Sequence, residues 1–427
     1  MSFVKQLKNG LRIHLLPLEG TQTTTVLVLC KVGSRYEGES LRGVSHFIEH
    51  LMFKGTKKRP SAIKISRLLD EIGAEFNAYT GKDLTGYYIK TESHHQKLGV
   101  ELLHDMLAHS LFKPSEMNRE RKVILEEIHM YHDNPLMHVD ELLEETLFAS
   151  STLGWEIAGT TQSIESMKRQ DLFDFQDTYY TPSRMVVVVA GKIDPTLSSF
   201  LERTFGTLKS KKDTIKDFVP FSLDKWEKGL RMNIQFKDTK QIQLAIGFPA
   251  FGMKDSRVPA AKLLALIVGG AMSSRLFLSV RERQGLAYMI RSGFETYEDT
   301  GFFWIQAGLD KTRFTLALQT IFKELRLLKK NGVKASEIAW AREHIRGRTA
   351  LQFEDSASQA EWIARQELFL EKTLSIEAWL KKYEQVRSKD IKAIIEEIFQ
   401  EERLCIAAIG PFADKQAFAA FLPKTRF

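Results

Sequence analysis

The sequence predicts an α+β protein of two homologous domains in tandem, each a mainly antiparallel sheet packed against helices. Three observations support this prediction. The chain has 427 residues, which is long enough for two domains. Segments of the first half recur 219 residues later. Strand-like and helix-like segments come in mixed order within each half, which favours α+β over a doubly wound α/β fold.

The internal repeat consists of three matches at the same offset. The matched positions are residues 10–13 (GLRI) with 229–232 (GLRM), residues 184–191 with 403–410, and Gly33 with Gly252. This period is far too long for a solenoid, so it indicates a duplicated domain. The boundary is expected in the polar, Lys-rich stretch 209–217, which gives domains of residues 1–212 and 213–427.

The elements of the first half follow from local patterns. Residues 11–16 and 24–32 are rich in β-formers and predict two strands. Pro60-Ser61 opens an amphipathic helix that Gly73 closes. Residues 76–80 and 84–90 flank a Gly-Lys-Asp turn and predict a hairpin.

Helical spacing continues after this hairpin. It predicts helices at residues 97–112 and from Ser115 to about Tyr131. The second half repeats the pattern, with a helical portion from about Lys311 to Gln400.

Composition and charge argue against several functional classes. The net charge of +7 comes from interspersed basic and acidic residues, so no nucleic-acid surface is indicated. No apolar run is long enough to span a membrane, and residues 1–10 lack the apolar region of a signal peptide. Cys30 and Cys405 lie in apolar strand-like runs, which favours reduced core thiols. We therefore expect a cytoplasmic protein.

The most informative motif is His46-Phe47-Ile48-Glu49-His50, an H-x-x-E-H sequence. Residues four apart project from the same face of a helix, so His46 and His50 can bind one ion. Two imidazoles suit zinc, and the carboxylate of Glu49 beside the metal can act as a general base. The alternative is a helix that carries two solvated histidines. The apolar stripe of Val44, Phe47, Ile48 and Leu51 argues against it, because it places this helix in a core.

The repeat is asymmetric at this motif. At the offset of 219 residues, His46, Glu49 and His50 correspond to Ala265, Val268 and Gly269. The apolar stripe persists there as Leu263, Leu266 and Ile267. The helix is thus retained for packing in both halves, and the polar residues occur only in the first, which favours a chemical role for them.

A catalytic zinc site needs a third protein ligand and an open position for water. Glu120, Ile124, Glu127 and Tyr131 lie along one helical stripe, so a metal ion would offset the cost of burying Glu127. Glu120 could orient a ligand from outside the metal's own shell. The residues alone leave two alternatives open: Glu126 as the ligand, or a solvated charged face.

These motifs resemble the M16 metallopeptidase family, the group of pitrilysin, insulin-degrading enzyme and mitochondrial processing peptidase. The segment from His46 to Thr56 resembles the zinc helix of this inverzincin family. The resemblance covers nearly the whole chain and implies a two-domain LuxS/MPP-like fold with one zinc ion per chain. It also implies that Glu127 is the third ligand and Glu120 the residue that supports the ligands.

The resemblance implies substrate contacts as well. Residues 73–80 resemble the family's edge strand that pairs with bound peptide, which assigns Phe76, Asn77 and Ala78 to substrate binding. Arg281 and Tyr288 match a pair that contacts substrate near the scissile bond. The structural alternatives are a hairpin position for Asn77, a surface ion pair for Arg281 and a core position for Tyr288.

The function expected from this resemblance is zinc-dependent hydrolysis of extended peptides, with Glu49 as the base. Longer family members have four such domains around a chamber, so a two-domain chain is expected to form a homodimer with Arg281 and Tyr288 facing the partner's zinc. The alternatives are a heterodimer with a zinc-less paralogue, a non-catalytic subunit and a peptide-binding module with structural zinc. No nucleic-acid or membrane partner is expected.

Overall fold

A computed structural model of the chain describes residues 3–209, 217–223, 226, 229–370 and 372–427. Packing divides the chain into two compact units. The first comprises Met1–His129, Trp155–Phe218 and Thr349–Leu374, and the second comprises Met130–Gly154, Val219–Arg348 and Ser375–Phe427. The boundary expected between residues 212 and 213 lies outside the described residues. Each unit also includes a segment from the other half of the chain, so no single cut separates the two units.

Each unit contains one mixed, mainly antiparallel sheet. The strands of the first are β1 (Phe3–Gln6), β2 (Arg12–Pro17), β3 (Thr23–Cys30), β4 (Glu75–Thr80), β5 (Thr85–Glu92) and β6 (Met185–Gly191). The strands of the second are β7 (Arg231–Phe236), β8 (Gln241–Phe251), β9 (Ala287–Thr296), β10 (Thr300–Asp310) and β11 (Cys405–Gly410). The α+β fold of two sheets with helices is confirmed.

Helices make up most of the remainder. Before residue 210 they are α1 (Val44–Met52), α2 (Ala62–Asp70), α3 (Gln96–His109), α4 (Pro114–Asp133), α5 (Pro135–Leu147), α6 (Thr161–Ser166), α7 (Arg169–Tyr179) and α8 (Leu197–Phe205). After residue 229 they are α9 (Val258–Ala265), α10 (Phe314–Asn331), α11 (Ala335–Gln352), α12 (Ser356–Phe369), α13 (Ile376–Glu384), α14 (Ser388–Ile398) and α15 (Lys415–Ala419). Wider π-helical turns cover Leu266–Gly270 and Phe277–Glu282. The strands and helices predicted in the first half are present, with ends displaced by a few residues.

The two sheets have the same topology, which supports the duplication. The first has the order β1-β2-β6-β3-β5-β4 and the second β7-β11-β8-β10-β9, so the five strands of the second follow the order of the last five in the first. The parallel pair β2–β6 places Arg12 opposite Val186, and β7–β11 places Arg231 opposite Cys405, 219 residues further along. The register of the sheet is therefore repeated together with the sequence.

The matched glycines also occupy equivalent places. A Cβ on Gly33 would lie 2.2 Å from the carbonyl oxygen of Gly81, at the tip of the β4–β5 hairpin. A Cβ on Gly252 would lie 2.6 Å from the backbone of Asp299, at the turn between β9 and β10. Both positions require glycine because the backbone passes too close to a hairpin for any side chain.

The first sheet is buried on both faces, which explains the apolar runs of its central strands. Val26, Val28 and Cys30 of β3 face the main core of the first unit. On the other face, α12 packs against β3 and β6, and the hydroxyl groups of Thr25 and Ser356 are 2.8 Å apart. This covering helix comes from the C-terminal half of the chain.

The second sheet is covered in the reciprocal way. Helix α5, from the N-terminal half, packs against β8 and β11. Its Val139 and Leu143 form an apolar cluster with Cys405 and Ala407 of β11. Each sheet is therefore completed by a helix from the opposite half of the chain.

Candidate metal centre

Helix α1 carries the H-x-x-E-H motif on a rigid, largely buried segment. Its apolar positions Val44, Phe47, Ile48 and Leu51 are each at most 1% exposed and pack in the core of the first unit. The helix begins after Gly43, which has φ +86° and no room for a Cβ beside the carbonyl oxygen of Ala158. The predicted stripe is therefore confirmed, and it fixes the direction in which the polar positions project.

The carboxyl group of Glu37 holds the start of α1. Its two oxygens accept hydrogen bonds from the backbone N–H groups of Gly43, at 2.7 Å, and Ser45, at 2.9 Å. Burial raises the pKa of Glu37 to about 8, and the hydrogen bonds from Ser45 and Gly43 oppose that rise. Two N–H groups that no earlier turn can satisfy are thus paired inside the protein.

Helix α4 supplies the third member of the site. Ile124 and Ile128 are buried, whereas Glu126 is exposed and Glu127 is half-buried. The Oε2 atom of Glu127 lies 3.6 Å from Nε2 of His46 and 3.4 Å from Nε2 of His50. Of the two glutamates that the residue pattern left open, the structure brings Glu127 to the imidazoles.

The three side chains have a geometry that fits zinc. The Nε2 atoms of His46 and His50 lie 3.2 Å apart, so the three ligand atoms form a triangle with edges of 3.2, 3.4 and 3.6 Å. A tetrahedral zinc ion about 2.0–2.1 Å from each ligand requires edges of about 3.3–3.4 Å. His46, His50 and Glu127 could therefore hold this metal with little rearrangement, and one coordination position would stay open.

The electrostatics of the cluster favour the metal-binding forms of His46 and Glu127, whereas the carboxylate partners of His50 favour its protonated form. Burial and the neighbouring His50 together lower the pKa of His46 to about 4, so this imidazole is neutral at pH 7. Burial acts to lower the pKa of His50, but hydrogen bonds to Glu127 and Glu120 outweigh it and raise the pKa. The hydrogen bond to His50 lowers the pKa of Glu127, which keeps its carboxylate ionised. Neutral imidazole and ionised carboxylate are the forms that bind metal.

Glu49 lies beside this cluster and is held by Thr80. The hydroxyl of Thr80, the last residue of β4, donates a hydrogen bond of 2.6 Å to Oε2 of Glu49. Burial raises the pKa of Glu49, and the hydrogen bond from Thr80 opposes the rise. A carboxylate with a raised pKa is a stronger base.

Strand β4 carries the predicted substrate residues Phe76, Asn77 and Ala78 at the edge of the first sheet. The bond from the N–H of Gly81 to the carbonyl of Leu84 sets the pairing, so Asn77 bonds toward β5 while Phe76 and Ala78 direct their N–H groups outward. The amide oxygen of Asn77 accepts from the N–H of Ala78 at 2.9 Å. In the described part of the chain, no strand pairs with this outer side of β4.

Arg281 and Tyr288 belong to the second unit, and both are exposed there. Arg281 lies in the π-helical turn Phe277–Glu282, with its guanidinium 4.8 Å from the ring centroid of Phe277. Tyr288 is on the edge strand β9 and is 77% exposed. The alternative of a core position for Tyr288 is thereby excluded. The described residues include no ion pair of Arg281.

In the second unit, the positions that correspond to His46 and His50 contact the edge strand β9 directly. Gly269, which takes the place of His50, lies so close to Ser292 of β9 that a Cβ would be 2.8 Å from its backbone nitrogen. The hydroxyl of Ser292 also donates to the carbonyl of Ala265, the residue that takes the place of His46. Helix and edge strand are thus in direct contact there.

Three functional candidates were not found from the sequence: Glu37, Lys54 and Thr80. Glu37 accepts hydrogen bonds at the start of α1, Thr80 donates one to Glu49, and Lys54 pairs with Glu120 of α4. The helical and strand periodicities of the sequence do not predict such contacts. One weak sequence signal could have indicated the capping role of Glu37: it is an acidic residue shortly before Gly43, which precedes the first residue of α1.

Comparison with known proteins supports a two-domain architecture. Residues 13–161 match the family model for insulinase (peptidase family M16), and residues 166–344 match the model for the peptidase M16 inactive domain. The uncharacterized zinc protease YmxG of Bacillus subtilis is 32% identical over 404 residues, which cover 95% of this chain and 97% of the relative. The chain belongs to peptidase family M16.

Other M16 relatives extend this comparison. An uncharacterized zinc protease of Rickettsia bellii is 33% identical over 410 residues, covering 96% of this chain and 97% of the relative. The crystal structure of a protease from Helicobacter pylori superposes with a TM-score of 0.90 at 24% identity, covering 96% of this chain and all of that one. This likeness confirms the fold. Among the described residues, no helix has the length and apolarity needed to cross a membrane.

Replacing Glu37 by Gln is expected to destabilise the first unit. The amide nitrogen of Gln cannot accept a hydrogen bond, so the N–H of Gly43 or Ser45 stays buried without a partner, at a cost of about 1–3 kcal/mol. Thermal unfolding followed by circular dichroism measures this loss. Glu39→Gln is the matched control, since Glu39 is exposed and forms a surface ion pair with Arg42. Equal midpoints for the two variants would contradict the capping role.

Proposed function

We propose that this M16 protein is a zinc-dependent peptidase that hydrolyses extended peptides or unfolded protein segments. The observation that carries the proposal is the convergence of His46, His50 and Glu127 on one point, with Glu49 beside them. The zinc protease names of full-length relatives support it. The non-catalytic alternative has less support, because all four of these residues are present and placed together.

The proposed metal set is His46, His50 and Glu127, with one zinc ion per chain. When bound, zinc supplies the Lewis acidity that peptide-bond hydrolysis needs. Three protein ligands are typical of catalytic zinc, whereas structural zinc usually has four. Among the described residues, no fourth ligand joins this group. This count favours the peptidase over a binding module with structural zinc.

Glu49 is proposed as the general base. Thr80 donates to its Oε2 atom, and no described residue forms a hydrogen bond to Oε1. Oε1 is therefore the atom that takes a proton from the attacking water and passes it to the leaving amine. Thr80 keeps the carboxylate from rotating, which holds the base in one orientation.

The substrate is proposed to add a strand to β4. The outward N–H groups of Phe76 and Ala78 offer main-chain hydrogen bonds to an extended peptide. Asn77 now caps the N–H of Ala78, so its side chain would have to turn away on binding. Strand β4 ends at Thr80, which holds Glu49, so a peptide on this edge would run directly past the base. Such pairing recognises the main chain of the substrate more than its side chains, and it requires the substrate segment to be unfolded.

The Glu49→Gln variant is expected to keep one zinc ion per chain and to lose cleavage by about 10²–10⁴-fold, since it retains the ligands and removes the base. Zinc is measured by atomic absorption after gel filtration, and cleavage with a quenched fluorescent peptide. Glu127→Ala is the matched control and should lose the metal; it also corrects for zinc on the exposed group Glu92, His94 and His95. Cleavage by Glu49→Gln at the wild-type rate would refute the assigned base.

Thr80→Val is expected to lower kcat about tenfold with little change in KM, the scale typical of outer hydrogen-bond partners in metal sites. The variant removes the donor to Glu49 and keeps the shape of the side chain. Thr80→Ser, which retains the hydroxyl, should stay close to the wild type. A Thr80→Val enzyme with normal kcat and raised KM would instead assign Thr80 to substrate binding.

The assembly proposed for this enzyme is a homodimer in which Arg281 and Tyr288 of one subunit contact substrate at the zinc centre of the other. Support comes from their exposure on the second unit and from the two-domain length shared with the relatives. A heterodimer with a zinc-less paralogue is the alternative, and it would leave the purified chain inactive.

Coexpression of two inactive variants tests the homodimer. Glu49→Gln and Tyr288→Phe each lack one half of the proposed site. If the two residues act across a twofold interface, random mixing restores about a quarter of the wild-type sites. Each variant expressed alone provides the baseline, and sedimentation establishes the mass. A dimer without recovered activity would place both residues in sites built by one chain.

A further inference from the structure

We infer that Lys54 is a positioning residue that holds Glu120 against His50 and thereby sets the affinity of the centre for zinc. This inference rests on the proposed function, because it assumes that His46, His50 and Glu127 bind the metal. It adds a residue beyond the ligands, the base and Glu120. The argument depends on the contacts of one buried carboxylate.

The carboxylate of Glu120 is divided between two partners. Its Oε1 atom lies 2.8 Å from the ammonium nitrogen of Lys54, and its Oε2 atom lies 3.2 Å from Nδ1 of His50. The side chain of Glu120 is only 6% exposed. Each oxygen thus has a defined partner, and rotation of the carboxylate would break both contacts.

The contact with His50 determines which imidazole nitrogen can bind metal. When Nδ1 donates its hydrogen to Glu120, Nε2 carries the lone pair that points to His46 and Glu127. His46 lacks such support: its Nδ1 atom has no hydrogen-bond partner among the described residues. Of these two imidazoles, His50 is therefore the one whose orientation depends on Glu120.

Lys54 is itself fixed by its backbone. It lies four residues after His50, just past the end of α1, and its N–H bonds to the carbonyl of Leu51 at 3.0 Å. The next residue, Gly55, has φ +135°, and a Cβ there would be 3.0 Å from the backbone of Pro60. The ammonium therefore reaches Glu120 of α4 from a rigid turn that also carries the metal-binding helix.

Three roles for Lys54 predict different effects of removing its charge. If Lys54 acted only as a positive charge near the metal, its loss would strengthen zinc binding, because like charges repel. If it served only to stabilise the fold, its loss would lower the unfolding temperature of the metal-free protein and leave zinc affinity unchanged. Positioning predicts weaker zinc binding.

The test compares zinc affinities by competition with a chromogenic chelator. Lys54→Met is expected to bind zinc about tenfold more weakly than the wild type, the scale for outer partners of metal ligands. Lys54→Arg, which retains a cationic donor, should recover most of the loss. Lys58→Met is the matched control: it removes the same charge from a lysine that is 61% exposed and pairs with Glu101 at 2.9 Å.

A double-mutant cycle shows whether Lys54 acts through Glu120. In a Glu120→Gln background, Lys54→Met should have no further effect on zinc affinity, because the carboxylate that it positions is gone. Lys54→Gln, whose side chain is too short to reach Glu120, provides the same comparison if the Met variant does not fold.

Several outcomes would overturn the inference. They are unchanged or tighter zinc binding by Lys54→Met, a loss equal to that of Lys58→Met, and additive losses in the Glu120→Gln background. The proposed function fails separately, through a wild-type protein that binds no zinc at this centre or whose affinity is unaffected by Glu127→Ala.

Discussion

The polar contact between α1 and α4 is the constraint on which the rest of the first unit depends. Two imidazoles and three carboxylates lie between these helices or beside them, in a part of the protein that is otherwise packed with aliphatic side chains. Burying such groups without partners is costly, and the contacts of His50 with Glu120 and Glu127, together with the hydrogen bond from Thr80 to Glu49, offset that cost. His50 joins the network to both Glu120 and Glu127. The contacts that orient the candidate metal ligands are therefore also contacts that stabilise the packing of α1 against α4.

The duplication shows which parts of this arrangement belong to the scaffold. The five equivalent strands have the same order and register in both units. In each unit a glycine packs closely against the corresponding hairpin. They differ where a helix meets the edge strand. The first unit places ionisable side chains there, and the second brings Gly269 onto Ser292. The same backbone arrangement therefore holds a cluster of ionisable side chains in the first unit and a direct contact between helix and edge strand in the second.

The sequence predicted the local part of the site well. Spacing on α1 predicted that His46 and His50 project from one face, and their Nε2 atoms lie 3.2 Å apart, because residues four apart on a helix are neighbours. The residues alone did not choose between Glu126 and Glu127, since that choice depends on how α4 is rotated against α1. Lys54 and Thr80 were missed because their partners are reached through tertiary packing. Arg281 and Tyr288 were recognised by resemblance alone, and their roles stay predictions.

The fold was predicted at the level of class and repeat, but the exchange of α5 and α12 was not. Amphipathic spacing shows that a helix has a face to bury and does not tell which sheet receives it. That exchange has a consequence for biosynthesis. During translation, one face of the sheet of the first unit stays uncovered until residues 356–369 have emerged from the ribosome. The first half of the chain is made first, and the face of its sheet that α12 covers stays exposed from the emergence of β6 until Phe369 has been translated.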